Sequence, residues 1–313
     1  MITTVTLNTA LDIIYRAPAF HMDQVHRLPG ITVPGGKGIN AARVIHTLGE
    51  SVTATGFVAG YNGQKMQFLL QQEGVRCEFI EVQGETRLAI TVLDQQQGTQ
   101  TELIEQASSY VTPESLILLE QQIEKAARTS AWVLFSGSIP EGCPADLYAT
   151  LIQIAKAQGA QTALDASGEA LRYGLQASPD LVKPNEDEAC AWAGIPTADH
   201  YSDQTLDDVL TAMLDHGVQM ATISLGKHGA IAAQGSARYR LHVPQLDIVS
   251  ALGSGDAMAA GMVTAAYRGA ELAEMLRYGA ACGSACALQP IAGKVDLQDV
   301  QHILQHIKIT PES

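Results

Sequence analysis

The chain is short of aromatic residues, short of basic residues and without a long apolar run, and each shortage removes a class of function. Aromatics make up 5% of its 313 residues, and 19 Lys and Arg face 33 Asp and Glu, a formal net charge of −14. So acidic a chain, with so few rings, is a poor match for a nucleic-acid backbone, which needs clustered cations. The most apolar stretch, Ala257 to Tyr267, is too short to span a bilayer and is full of Ala and Gly. Met1-Ile2-Thr3-Thr4-Val5-Thr6 has neither the basic nor the long apolar segment of a secretory leader, so a soluble cytoplasmic protein is expected. Cys77, Cys143, Cys190, Cys282 and Cys286 are odd in number, widely spaced and without Cys-x-x-Cys. That argues against a disulfide framework or a structural zinc site and fits a reducing compartment. Cys282 and Cys286 are expected as small buried residues on one helix face. His302 and His306 lack the Glu of His-Glu-x-x-His and are expected as exposed helix residues. No Walker P-loop occurs, and a dinucleotide fingerprint fails where Met258 takes the place of its third glycine, which disfavours a nicotinamide-dependent dehydrogenase.

Hydrophobic residues, at 46%, suffice for a substantial core. Their runs of strand length alternate with segments of helical period, the pattern of a mainly parallel sheet covered by helices. Strands are predicted at Thr3–Leu7, Val52–Val58, Arg76–Val82, Ala131–Phe135, Gln161–Leu164 and Met220–Leu225. Helices are predicted at Gly38–Leu48, Gly63–Gln72, Ala145–Gln158 and Asp203–His216, and from Thr112, where Thr112-Pro113 supplies a cap and a first-turn proline. From Ser254 onward the chain reads as helical, interrupted at Gly269 and around Pro290. Two segments, about 12–33 and 86–105, alternate polar and apolar residues with no helix between strands, as in a small β lid. No linker or charge block divides the chain, so residues 1–313 are expected to form one α/β domain carrying that lid.

Three motifs point to chemistry. Gly253-Ser254-Gly255-Asp256 is a glycine-rich turn opening an Ala-rich helix. Backbone N–H groups there form an anion site for phosphate oxygens, beside which Asp256 could accept a proton from an attacking hydroxyl. The helix dipole is expected to keep Asp256 a weak base. A plain helix cap explains the same spacing, and spacing alone leaves both readings open. In Gly35-Gly36-Lys37-Gly38-Ile39-Asn40 the glycines around Lys37 permit close backbone approach to a polar ligand, and Asn40 offers donor and acceptor; an ordinary loop before a helix is the other reading. In Lys183-Pro184-Asn185-Glu186-Asp187-Glu188, Asn185 and Glu188 share one face of a first helical turn, where their oxygens could hold hydrated Mg²⁺ or where acidic residues simply complement the dipole.

Together these motifs resemble the PfkB (ribokinase-like) carbohydrate kinases over nearly the whole chain. Gly35 to Asn40 resembles that family's first signature, Gly253-Ser254-Gly255-Asp256 its second, and Asn185-x-x-Glu188 its magnesium motif. The branch of 1-phosphofructokinases and tagatose-6-phosphate kinases is closer. Its likeness rests on Thr6 to Asp12, Ser136-Gly137-Ser138-Ile139-Pro140, Leu164-Asp165-Ala166-Ser167-Gly168-Glu169-Ala170-Leu171 and Ser224-Leu225-Gly226. The resemblance implies a three-layer α/β/α sandwich whose β lid pairs two subunits in a homodimer, and ATP with Mg²⁺ as cofactors. It implies Asp256 as the base, with Gly253, Ser254 and Gly255 holding phosphate charge. It places Asp12, Gly36, Lys37 and Asn40 on the sugar and Arg27 and Arg87 on the sugar phosphate. Lys183, Asn185, Ser224, Gly226 and Gly229 would line the nucleotide site, with Glu188 acting on Mg²⁺ through water and Ser284 near adenine.

The departures fall on the substrate side. After Thr86-Arg87 the branch's usual Lys is Thr91, the usual Asn after Thr-Glu-x is Ile104, the Pro-Gly-Pro region is Ala107-Ser108-Ser109, and Thr9 replaces a common Pro. The expected reaction is phosphorylation of fructose 1-phosphate. Tagatose 6-phosphate, fructose 6-phosphate and an unphosphorylated sugar are the alternatives, and a non-catalytic sugar-phosphate-binding regulator is disfavoured by the intact Asp256 and Asn185-x-x-Glu188.

Overall fold

The computed structural model describes residues 1–106 and 108–312; Ala107, within the altered Pro-Gly-Pro region, lies outside the described residues. The chain opens with β1 (Ile2–Thr6), β2 (Ala10–Ala17) and β3 (Gly30–Gly35), then α1 (Lys37–Thr47), β4 (Val52–Ala59), α2 (Gly60–Gln72) and β5 (Arg76–Val82). A hairpin of β6 (Arg87–Asp94) and β7 (Thr99–Ile104) precedes α3 (Pro113–Ala127). The start of α3 follows the sequence signal, Ser115 N–H donating to Thr112 Oγ1 at 3.2 Å ahead of the first turn. Next come β8 (Trp132–Ser136), α4 (Leu147–Ala157), β9 (Gln161–Asp165), α5 (Gly168–Gly174), β10 (Leu181–Val182), α6 (Glu186–Trp192), α7 (Asp203–Asp215) and β11 (Met220–Ser224). A second hairpin, β12 (Ala230–Gln234) and β13 (Ala237–His242), leads to α8 (Ser254–Tyr267), α9 (Leu272–Ala287), α10 (Leu297–His306) and β14 (Lys308–Glu312).

Ten strands form one sheet in the order β14-β13-β12-β11-β10-β9-β8-β1-β4-β5. From β5 to β11 every pairing is parallel, and β12, β13 and β14 complete one edge antiparallel. Strand periodicity feeds two cores. On β8, Trp132 and Leu134 pack with α1, α2, α8, α9 and α10, while Val133 and Phe135 pack with α3 to α7. The result is the three-layer α/β/α sandwich expected. A second sheet, ordered β3-β2-β6-β7, is parallel at β2–β6 and antiparallel elsewhere.

The helices after Ser254 are interrupted at Gly269 and around Pro290, as expected, but the expectation of helix to the end fails at the C-terminus, where β14 pairs with β13, Leu241 opposite Ile309. That edge strand carries Pro311 and is largely exposed, so no apolar alternation announced it; its partner lies far away in sequence. The hairpin β12–β13 was likewise not predicted. Cys282 and Cys286 are buried and His302 and His306 exposed, as expected. Among the described residues no helix is long and apolar enough to cross a membrane.

Candidate active site

Parallel strands end together, and a crevice at their carboxyl ends is where open α/β sheets place ligands. Asn8 follows β1, Ser138 follows β8, Asp165 ends β9, Lys183 follows β10 and Ser224 ends β11. Two helices then point their N-termini into the same crevice. Gly36 caps α1 at φ 115°, and Gly253 caps α8 at φ 76°, both in the left-handed region that glycine tolerates. A Cβ on Gly253 would lie 2.7 Å from the Cβ of Ala292, so the turn also needs the missing side chain for space.

Asp256, in the first turn of α8, is buried, and Asn40 Nδ2 on α1 donates to its Oδ2 at 2.9 Å. This bond joins the two glycine motifs across 216 residues of sequence. Burial pushes the Asp256 carboxyl up to about 6, Asp165 adds to the rise, and the Asn40 bond with Lys37 and Lys183 opposes it. The expected weak base is therefore corrected: loss of solvation outweighs the dipole of α8. Asp12 on β2 is likewise raised to about 6 by burial, against the attraction of Arg87 and Arg43. Lys37 sits among acids. Asp165 foremost holds its ammonium above the usual range against burial, with Glu188 and Asp256 adding to the effect.

Lys183 Nζ lies 3.2 Å from Asp165 Oδ1, an ion pair buried on both sides. The sequence pattern assigns Asp165 no role of its own, because its neighbours Lys37, Lys183 and Asp256 come from three other segments. Asn185 and Glu188 form a reciprocal capping box on α6: Glu188 N–H donates to Asn185 Oδ1 at 2.8 Å, and Asn185 N–H to Glu188 Oε2 at 3.0 Å. The dipole and cap reading of this motif is thus realised, while Glu188 Oε1 remains turned to Lys37 Nζ at 3.7 Å. Among the described residues no three His, Cys, Asp or Glu side chains converge on a bare cation.

On the other side of Asp256 opens a cavity of about 550 Å³. Of the residues expected at a nucleotide site, Ser224, Gly226, Gly229 and Ser284 line it and Lys183 and Asn185 do not; Ser254 and Gly255 of the glycine turn line it as well. Lys227, His228, Ile248 and Gly283 line it too: Lys227 and His228 lie between Gly226 and Gly229, Gly283 adjoins Ser284, and Ile248, in the loop ahead of the Gly253 turn, carries no sequence signal. Lys183 lies close by, since a Cβ on Gly255 would be 3.6 Å from its Nζ.

The small sheet covers the Asn40 side. Residues opposite one another in register share a face, so Asp12, Ala89 and Ile104 align, as do Ile14, Thr91 and Glu102. Arg87, one pleat along, is half-buried beside a small pocket with Asn8, Thr86 and Ser109. Four side-chain atoms around the crevice are buried without a hydrogen-bond partner: Asn40 Oδ1, Arg87 Nε, Asp165 Oδ2 and Ser254 Oγ. Orphaned buried polar atoms cost free energy, and a polar ligand in the crevice would supply partners for these four. Arg27 is the exception. It lies exposed between β2 and β3, and its side chain makes no hydrogen bond or ion pair among the described residues.

Comparison with known proteins agrees with this geometry. The family model for the pfkB family carbohydrate kinases matches residues 8–297. A candidate phosphofructokinase from Staphylococcus aureus is 30% identical with a TM-score of 0.83, the match covering 100% of this chain and 99% of that one. Phosphofructokinase-2 from Escherichia coli, solved with potassium, is 29% identical with a TM-score of 0.90, over 97% of this chain and 98% of the other. A candidate 1-phosphofructokinase from Thermotoga maritima is 25% identical with a TM-score of 0.89, over 100% of both chains. The protein belongs to the pfkB family of carbohydrate kinases and is an ATP-dependent sugar kinase of the phosphofructokinase type.

Proposed function

We propose that the protein transfers the γ-phosphate of ATP to a hydroxyl of a phosphorylated ketohexose, with fructose 1-phosphate as the acceptor. The observation that carries this reading is Asp256, buried in the first turn of α8 behind the Gly253 turn, with its Oδ2 held by Asn40. Oδ1 takes the proton as the acceptor's hydroxyl oxygen attacks the γ-phosphorus and the bond to the β-phosphate oxygen breaks, releasing ADP. The N–H groups of Gly253, Ser254 and Gly255 bind the developing charge. Asn40 Oδ1 and Asp12 accept from sugar hydroxyls, and Gly36 lets the sugar approach the backbone. Arg87, whose Nε has no partner, meets the sugar phosphate. Arg27 joins it only if the 18–29 segment closes inward. Lys37, whose Nζ lies 3.7 Å from Glu188 Oε1, binds in this reading on the side of the transferred phosphate.

The residues fit Mg²⁺ held through water. Glu188 Oε1 and the orphaned Asp165 Oδ2 are acceptors for the shell of an ion that keeps several of its waters. Mg²⁺ supplies charge neutralisation at the nucleotide phosphates. Asn185 and Lys183 hold Glu188 and Asp165 in place, Ser224, Gly226 and Gly229 line the nucleotide, and Ser284 lies toward its base. ATP as donor and five free cysteines favour a cytoplasmic enzyme. Ile31, Leu103 and Ile104 leave exposed apolar surface on the small sheet. Escherichia coli phosphofructokinase-2 has a tetrameric form, which supports pairing of two copies here.

A second reading has its own support. Escherichia coli phosphofructokinase-2 has been solved in complex with fructose 6-phosphate and is 28% identical, which favours that acceptor. Initial rates of ADP release with fructose 1-phosphate, fructose 6-phosphate, tagatose 6-phosphate and free ketohexoses separate the readings. The highest kcat/KM is expected with fructose 1-phosphate. Turnover of a free ketohexose with none of any phosphosugar would refute the phosphosugar assignment.

A further inference from the structure

The small sheet is fastened at one end. Thr86 Oγ1 accepts from Ala59 N–H at 2.9 Å, and Asn62 Nδ2 donates to the Thr86 carbonyl at 2.9 Å, tying the start of β6 to β4 and α2. At the β6–β7 turn Asp94 accepts from the N–H groups of Gln96 and Gln97, and from Phe20 at 3.1 Å, so the hairpin moves as a stiff unit. Its outer strand β7 is exposed along its full length. One hydrogen bond among the described residues joins β7 to the body of the molecule. Ser250 Oγ, in a buried side chain, donates to Gln100 Oε1 at 3.0 Å.

Ser250 is not an arbitrary landing point. Its own N–H and that of Val249 are anchored on the Ala287 carbonyl at the end of α9, and its Oγ accepts from Leu252 N–H at 3.2 Å. Leu252 immediately precedes Gly253, and Ile248 and Ala251 line the nucleotide cavity on either side of Ser250. Gln100 in turn donates from Nε2 to Glu102 Oε1 at 2.5 Å, on the face of the small sheet that carries Asp12. One hydroxyl thus bridges the sheet over the acceptor and the turn that holds the transferred phosphate.

We propose that Ser250 is a positioning residue: with Gln100 it latches the small sheet over the acceptor, and through Leu252 it sets the Gly253 turn, so that enclosure of the acceptor and shaping of the phosphate site occur together. The inference rests on the kinase reading above and extends it. With the latch open, water reaches the γ-phosphate and ATP is hydrolysed without product. Gln100 is exposed on an edge strand, so Gln100→Ala isolates the latch without disturbing the core.

Two measurements on the full chain test this. Amide hydrogen exchange in the ligand-free protein reads the latch whatever the acceptor is. Gln100→Ala and Ser250→Ala should both speed exchange across β7, and only Ser250→Ala across 251–254. Unchanged exchange in β7 of both variants would overturn the latch. Steady-state kinetics with the acceptor chosen by the panel above read its consequence. Gln100→Ala should raise acceptor KM about three- to tenfold, the scale of one hydrogen bond, with kcat nearly kept. The ratio of ADP released to sugar phosphate formed should rise above one. Ser250→Ala should add a loss in kcat, the double variant should raise KM no further than Ser250→Ala alone, and Ser250→Thr should restore both values. An additive double variant, or a ratio that stays at one in both single variants, would overturn the coupling.

Discussion

Asp256 lies in two opposed fields. The N-terminus of α8 favours its charged form, and burial among protein atoms disfavours it. Burial prevails and holds the carboxyl near 6, where a base is still charged at neutral pH yet strong enough to accept a proton. A plot of kcat/KM against pH should therefore fall on its acid side through about 6. Asp12 titrates in the same range and should steepen the fall. The same shift has a cost in stability. With the folded value above the unfolded one, the native state binds the proton more tightly, so stability declines as pH rises from about 4 to about 6 and stays lower beyond. Asp256→Asn keeps an oxygen for Asn40 and removes the buried charge. Its Tm should exceed that of wild type at pH 7.5, by the equivalent of about 1–3 kcal/mol, and the gain should vanish below about pH 4. Thermal unfolding at the two pH values checks this, and a gain that grows on acidification would contradict it. Asp256 was legible in the sequence because glycines and an acid at a helix start are a local pattern. Its basicity was not, because the groups that set it, Asp165, Lys37, Lys183 and Asn40, arrive from three distant segments.

At the scale of elements, helix starts were the most legible features, since caps act within a few residues. Thr112-Pro113 fixed the start of α3, and β5 was read with the bounds the structure shows, Arg76–Val82. The hairpin β12–β13 and strand β14 were not legible, because antiparallel edge strands take their stability from partners rather than from their own pattern. Asn185-x-x-Glu188 is instructive, since the motif caps the helix and in the proposed function would also serve the site. Glu188→Gln preserves an oxygen for the capping box and removes the charge beside Lys37. It should leave the unfolding free energy within about 0.5 kcal/mol of wild type while raising the Mg²⁺ concentration needed for half-maximal rate. Glu188→Ala loses the cap as well and should cost a further ~1 kcal/mol. Denaturant unfolding and a Mg²⁺ titration of rate separate the two; equal stability losses in both variants would show that charge, not the cap, holds α6.

For the whole molecule, the two apolar cores are built from side chains on opposite faces of one sheet, and hydrophobic periodicity was enough to foresee the layers. The polar interior between them was not foreseeable. Lys183 and Asp165 pair at 3.2 Å with almost no exposure, and neither tolerates loss of the other. Lys183→Met should destabilise the fold by about 3–5 kcal/mol, and adding Asp165→Asn should recover part of that loss, because the uncompensated buried charge is gone. Chemical denaturation measures both, and a double variant less stable than Lys183→Met would show that the pair acts otherwise. The net charge of −14 gains a finer meaning from this arrangement. Lys37, Arg87 and Lys183, with two helix N-termini, offer partners for anionic ligands, but they are set among Asp12, Asp165, Asp256 and Glu188, while solvent ions screen carboxylates beyond about 8–10 Å.

In the proposed reaction Asp256, held by Asn40 and raised by burial, removes the proton from a phosphosugar hydroxyl. The most direct test compares kcat of wild type and Asp256→Asn with saturating ATP, Mg²⁺ and fructose 1-phosphate at pH 7.5. A general base of this kind contributes about 10²- to 10⁴-fold, so the variant should lose at least roughly 10²-fold in kcat while remaining folded. An Asp256→Asn protein that turns over within a few-fold of wild type would contradict the account.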